Sequence, residues 1–322
     1  MRLAAALATL VAAFALAACG GDDRSEPGTT QAAVPNAADF PAGDGQSLEE
    51  LVGALPEGPI MAQTVSATHK GTNRVAFALF DIEKKQVKGA QVAVYVVDKR
   101  LQNATGPYVA TPQSLDVEPQ YRSRQTANDL SFNETIYSAD VKLPESDDYV
   151  IAGIARLDGQ TYRTSQFKLP KAKGPQPPHS GEKAPRIHTE TAADVGGNLE
   201  SIDTRQPPLP ELHEVDAADV VGSKPTVLLF ATPQLCQSRV CGPVDDVTFQ
   251  IASDPRNKGV EFIHQEIYNG NEVNKGFRPQ VRSFNLPTEP WVFVIDRNGV
   301  VRERIEGAFS ARELQAAVDK VR

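Results

Sequence analysis

The sequence predicts two domains of different class, an all-β domain followed by an α/β domain. Three observations carry this. Residues 58–170 hold short runs of alternating apolar residues separated by turn residues. Residues 171–187 are dominated by Pro and polar residues. From 188 onward continuous apolar runs of strand length alternate with stretches of helical spacing. At 322 residues the chain is long enough for about two domains of roughly 150 residues.

Within 58–170 the stretch 73–80 (NRVAFALF) alternates apolar and polar positions, and 91–97 (QVAVYVV) places Val92, Val94 and Val96 on one face. Strands are also expected at 136–143 (IYSADVKL) and 149–155 (YVIAGIA). Asp158-Gly159 between ARL and QTYR is a hairpin signal, because both residues tolerate positive φ. Short strands punctuated by Gly, Pro and Asp predict a β-sandwich of immunoglobulin-like type, without a Cys…Trp…Cys framework. The Pro-rich stretch 171–187 reads as a stiff interdomain linker.

In the second domain the run 225–232 (PTVLLFAT) suits a strand buried on both faces of a sheet. A helix is expected over 242–253, a strand at 259–267, a helix over about 274–284, and a buried strand at 291–296 (WVFVID). Arg297-Asn-Gly turns into the strand 300–305, and Ser310 with Glu313 forms a capping box. The helix it opens repeats Leu314, Ala317, Val318 and Val321 at helical spacing. The order is β-α-β-α-β-β-α.

The N-terminus departs from this globular pattern. Arg2 is the only charge before Asp22, and residues 3–18 are almost entirely Ala, Leu, Val and Phe. That run is shorter than the about 20 residues of a spanning helix and has the layout of a secretory signal. Leu16-Ala-Ala-Cys19 resembles the bacterial lipobox, which implies removal of residues 1–18 and lipidation of Cys19. The chain is therefore expected outside the cytoplasmic membrane, anchored through lipidated Cys19, in a compartment that permits disulfides. Residues 19–57 read as a flexible tether, interrupted by a short helix signal at 47–52 (SLEELV). The net charge of −8, with no Lys/Arg cluster, argues against nucleic-acid binding. Of the three cysteines, the anchor uses one, so Cys236 and Cys241 remain as a neighbouring pair.

The region 188–322 resembles the thioredoxin fold. A buried strand runs into a Cys-containing loop and a helix. Leu286-Pro-Thr-Glu289-Pro290-Trp-Val-Phe-Val-Ile-Asp looks like the segment around the family's cis-proline. The final hairpin and capped helix look like those of membrane-anchored thiol-disulfide oxidoreductases. The resemblance implies thiol-disulfide exchange by Cys236 and Cys241, with exported thiol- or disulfide-bearing proteins as partners. It also implies a cis Glu289–Pro290 bond that sets the Glu289 backbone beside the thiols, where a substrate peptide can pair. The chemistry needs one acidic thiol, lowered by a helix N-terminus, and a second that resolves the mixed disulfide.

The spacing departs from the family's Cys-x-x-Cys. Cys236 and Cys241 are five apart, and on one helix they would point to different faces. A loop position for Cys236 with a helix starting near Cys241 brings them within bonding range. Two registers are open. Counting back from the helix favours Cys236 as the attacking thiol and Cys241 as the resolving one. Cys241-Gly-Pro-Val, like the family's Cys-Gly-Pro-Cys, favours the reverse. Arg239 could add positive charge near either thiolate. The strand before the loop lacks the buried acid of thioredoxins, and no replacement is evident.

Two other readings stand beside exchange. The chain could be a non-catalytic scaffold or binding lipoprotein whose Cys236–Cys241 disulfide is structural. It could also deliver copper, since thiolates with a His suit Cu(I). His264, on a strand, reads as a packed histidine, and His179, His188 and His213 as solvated linker residues. No resident metal or cofactor is expected. In the β-domain, Asp81, Asp98, Asp147 and Asp148 read as turn or surface charges, and Tyr108, Tyr121, Tyr137 and Tyr149 as core. A partner-binding role for that domain is the remaining expectation.

Overall fold

The computed structural model describes residues 34–322 apart from 67, 130–133 and 146. The expected signal segment 1–18, the expected anchor Cys19 and the first part of the expected tether lie outside the described residues. Among the described residues no helix is long and apolar enough to cross a membrane.

Eight strands form one curled antiparallel sheet. They are β1 (Ile60–Gln63), β2 (Gly71–Phe80), β3 (Gln91–Asp98), β4 (Thr105–Ser114), β5 (Thr135–Leu143), β6 (Tyr149–Leu157), β7 (Gln160–Arg163) and β8 (Phe167–Leu169). The order is β1-β2-β5-β4-β3-β6-β7, with β8 also paired to β6. The expected sandwich therefore takes the form of a single sheet folded on itself, and β4 makes the fold. Its first half pairs with β3 (Val92 opposite Ala110), while its second half pairs with β5 (Thr111 opposite Ser138). A strand that changes partners in mid-course is how a corner between two layers is built. The ends of the curl are stitched by loop backbone: Gly58 N–H donates to Arg163 O and Thr68 N–H to Pro170 O.

The alternating residues line the inside of the curl. Val75, Phe77, Leu79, Val92, Val94, Val96, Tyr137 and Val141 form one buried cluster. The opposite face of β3 and β6 is apolar as well, and residues 34–57, within the expected tether, fold back to cover it. Helix α1 (Leu48–Val52), opened by a Ser47/Glu50 capping box, packs Leu48, Leu51 and Val52 with Phe40 on Ala93, Tyr95, Val97 and Ile154.

The second sheet is mixed, with order β10-β9-β11-β12. Its strands are β9 (Thr226–Phe230), β10 (Glu261–Gln265), β11 (Trp291–Ile295) and β12 (Val301–Glu306). β10 runs parallel to β9, and β11 antiparallel to both β9 and β12. Helix α2 (Arg124–Asn128) lies in the chain between β4 and β5, and α3 (Ala217–Val220) precedes β9. Helices α4 (Cys241–Ala252) and α6 (Ala311–Val318) cover one face, burying Val244, Val247, Leu314 and Val318 on Val227, Leu229 and Val292. Helix α5 (Pro279–Ser283) and α3 cover the other face with Val281, Ala217 and Val220. Strands buried on both faces explain why 227–230 and 291–295 are continuously apolar.

The two sheets share a core. Leu115, Val117 and Ile136 of the first region belong to the same cluster as Cys241, Val244 and Val292. Residues 181–184, in the Pro-rich stretch, run along the β12 edge, with Gly181 N–H donating to Val301 O and Val301 N–H to Glu182 O. Gly307 sits where the sheets approach. Its φ is +75°, and a Cβ there would lie 2.3 Å from the Thr64 carbonyl oxygen.

Arg74 pins the approach. It donates from Nε and Nη2 to Glu313 (2.8 and 3.0 Å) and to the carbonyls of Glu306 and Ala308. Glu313 is also the reciprocal partner in the Ser310 capping box of α6. Arg74→Met keeps the stem but leaves a mostly buried carboxylate without its cation. It is expected to lower unfolding free energy by about 2–3 kcal/mol in urea denaturation. Ser310→Ala removes the cap and the hydroxyl's bond to Gln113 (2.7 Å), and about 1–2 kcal/mol should be lost in the same measurement.

Candidate thiol site

Strand β9 delivers the chain to a loop at its C-terminal end. There the N–H groups of Leu235 and Cys236 both donate to Thr232 O, at 3.2 and 3.1 Å, folding the loop back at once. Arg239 takes a positive φ of 59°, which lets the chain enter α4 two residues later. Helix α4 begins at Cys241, and its N-cap residue Val240 offers no side-chain cap. The sulfur of Cys236 fills that place, accepting from the backbone N–H groups of Val240 and Cys241. The loop placement of Cys236, with the helix starting at Cys241, is the arrangement that brings positions five apart together.

The two thiols have opposite environments. Cys236 is half-buried and Cys241 fully buried. The Cys241 thiol donates to Cys236, and with Ser238 (Sγ to Oγ 3.2 Å) and the two backbone donors it holds Cys236 down at about 6. Burial pushes Cys241 well up, and its bond to Cys236 pushes the same way. Cys236 is therefore the thiolate and Cys241 the protonated donor. Arg239 does not supply the expected charge to this pair, because its guanidinium is directed at Asp129, 3.2 Å away.

Glu289 and Pro290 stand just before β11. The Glu289–Pro290 peptide is cis, and the negative field of the Glu289 carboxylate reaches Cys241. Burial raises the Glu289 carboxyl. The Tyr268 hydroxyl donates to Glu289 Oε1 at 3.3 Å, and burial and Glu289 together push that phenol up to about 12. Tyr268 was not singled out by the sequence. The available signal was its place just past the C-terminal end of β10, where ligands of open α/β sheets bind.

Buried acids do stand near this loop, although β9 has none. Asp245 and Asp246 on α4 are fully buried. Asp246 is well satisfied, accepting from Ser123 N–H (3.0 Å) and Arg205 Nε (3.1 Å). Asp245 has no hydrogen-bond donor on either oxygen, and burial pushes its carboxyl far up. His264 is packed as expected, with Nε2 3.0 Å from Ala231 O. His213, expected to be solvated, is instead 1% exposed beside it, because the segment that carries it folds under the Cys loop. His188 is exposed and bonded to Asp216, and His179 is half-buried against His69.

No family model matches the chain, and no curated protein matches it. Among solved structures, it is similar to one from Chlorobium tepidum provisionally assigned as a thiol:disulfide interchange protein DsbE. The identity is 19% and the TM-score 0.31, over 44% of this chain and 99% of the other.

Proposed function

We propose that this chain is a membrane-tethered, extracytoplasmic thiol-disulfide oxidoreductase that works through Cys236 and Cys241, with Cys19 as its lipid anchor. The observation that carries the reading is the asymmetry of the pair. A half-buried thiolate at about 6 caps a helix N-terminus, and a buried protonated thiol is hydrogen-bonded to it. Such a thiolate is mostly ionised at neutral pH and accessible from one side, as an attacking sulfur must be.

In the reducing direction the Cys236 thiolate attacks one sulfur of a partner disulfide. A Cys236–partner bond forms, the partner's S–S bond breaks, and its other sulfur leaves as thiolate. Cys241 then gives up its proton and attacks the Cys236 sulfur. The Cys236–Cys241 disulfide forms and the second partner thiolate leaves, so the partner gains two electrons and the pair loses two. Glu289, whose carboxyl is raised and whose field reaches Cys241, is the acceptor we assign for that proton. The partner is an exported protein bearing a thiol or disulfide. Its extended backbone would pair beside Glu289 and Pro290.

Stabilisation of the Cys236 thiolate favours the reduced form. The pair is expected to titrate at a midpoint less negative than about −270 mV in glutathione or dithiothreitol buffers. A midpoint below about −300 mV, with no partner captured by a single-cysteine variant, would instead mark a structural disulfide.

A further inference from the structure

Behind the Cys loop lies a second cluster that the exchange chemistry does not use. Asp203, His213 and His264 are each 1% exposed, and one ligand atom from each falls within 4.8 Å of the others. Nε2 of His213 stands 3.5 Å from Asp203 Oδ2, and Nδ1 of His264 stands 3.7 Å from Asp203 Oδ1. Both contacts fall outside hydrogen-bond geometry, so neither ring nitrogen of His213 and not Nδ1 of His264 has a hydrogen-bond partner. Orphaned buried polar atoms of this kind call for a partner.

The orientation of each group fits a cation. His264 Nε2 lies 3.0 Å from Ala231 O, an acceptor, so Nε2 donates there and Nδ1 is the nitrogen turned toward Asp203. A histidine that donates one ring nitrogen to a backbone carbonyl and offers the other inward has the arrangement of a metal ligand. Asp203 is oriented from behind as well, accepting from Arg205 N–H at 2.8 Å and Leu209 N–H at 2.9 Å. A tetrahedral ion with bonds of about 2.0–2.1 Å holds its ligand atoms roughly 3.3 Å apart, and the three atoms here, within 4.8 Å of one another, would draw together on binding.

We propose that Asp203, His213 and His264 form a buried site for a divalent transition-metal ion of zinc type, separate from the thiols. Two imidazoles and a carboxylate suit such an ion. Binding would tie the segment from Asp203 to His213 onto β10 and onto the chain just before the Cys loop. The site is enclosed, so the ion would enter during folding.

The test refolds the full chain from denaturant with Co²⁺ or Zn²⁺, removes loose metal by gel filtration, and measures bound metal and cobalt absorption. One equivalent is expected, with the visible ligand-field bands of four-coordinate cobalt and no thiolate charge-transfer band. The Cys236→Ser/Cys241→Ser double variant should bind equally. His213→Ala should weaken binding about 100-fold or more, beyond the cost of losing an outer-shell partner. If that variant does not fold, the near-isosteric Asp203→Asn takes its place with the same expectation. A folded wild-type chain that retains no metal would overturn the proposal. So would metal whose binding disappears with the two cysteines.

Discussion

Cys241→Ala is expected to turn the protein into a trap. The Cys236 thiolate remains to attack a partner disulfide, but no second thiol is left to release the product, so mixed disulfides should accumulate and show on non-reducing gels. Cys236→Ser should trap nothing, and exchange should fall to the rate of the reductant alone. If the register were reversed, the two variants would exchange roles. The expected assignment rests on burial, since Cys241 is fully buried at the first turn of α4 and Cys236 is not.

The same variant tests why Cys236 is acidic. Its largest cause is the hydrogen bond from Cys241, followed in the same direction by Ser238 and the two backbone donors. Alkylation of wild-type Cys236 should rise with pH through about 6 and then level off. In Cys241→Ala the inflection should move up toward the ordinary thiol range of about 8.5. At pH 7 a full return to that value would cut the thiolate about thirtyfold, but the more basic thiolate is intrinsically more reactive, by roughly tenfold. The rate at one pH therefore changes little, and the position of the inflection is the decisive readout. An unmoved inflection would reject the thiol–thiolate bond as the cause.

The shift is also a statement about stability. A thiol whose folded pKa is depressed contributes stability above its unfolded pKa, and the contribution disappears as pH falls through the folded value. The reduced wild type should therefore lose stability relative to Cys236→Ser as pH drops from about 9 to below 6. Comparing the two chains removes the contributions of the many carboxylates that titrate alongside.

Much of this site was readable because the sequence is locally consistent. The continuous apolar runs gave both central strands, and Asp158-Gly159 turns with φ of 51° and 77° at the hairpin it predicted. The Ser310/Glu313 box opens α6, and the pattern placed α4 within one residue of its observed start. Strand β4 escaped notice because Gly106, Pro107 and Pro112 read as turn residues. They occupy a strand that changes partners and so needs no unbroken ladder. The expected helix over 274–284 is a 3₁₀ turn at Val273–Lys275 and a short α5, since Gly276 at positive φ and Pro279 divide it. The buried polar group under the Cys loop was hidden for a different reason. Asp203, Arg205 and His213 lie in a stretch without periodicity, and their partners Asp246 and His264 lie more than 40 positions away. Only the fold brings them together, so no local spacing could report it.

Arg205 is the residue on which that buried group depends most. It is 3% exposed, donates to Asp246 Oδ1 from Nε at 3.1 Å, and stands 3.6 Å from Asp245. It also donates to the carbonyls of Pro207 (2.9 Å) and Tyr121 (2.7 Å), tying the first sheet's long loop to α4. Arg205→Met keeps an aliphatic stem but removes the guanidinium that lies over Phe249 and leaves buried carboxyls and carbonyls unmatched. The expected loss is about 3–5 kcal/mol in urea unfolding of the reduced protein. Arg205→Lys should recover little, because a single ammonium cannot reproduce a fork that reaches Asp246, Pro207 and Tyr121 at once. Adding Asp246→Asn to Arg205→Met removes one of the stranded charges, while Ser123 still serves that side chain. The double variant should therefore be more stable than Arg205→Met alone. A loss below about 1 kcal/mol for Arg205→Met would mean that the carboxyls are neutralised without it, and the electrostatic account of this interior would fail.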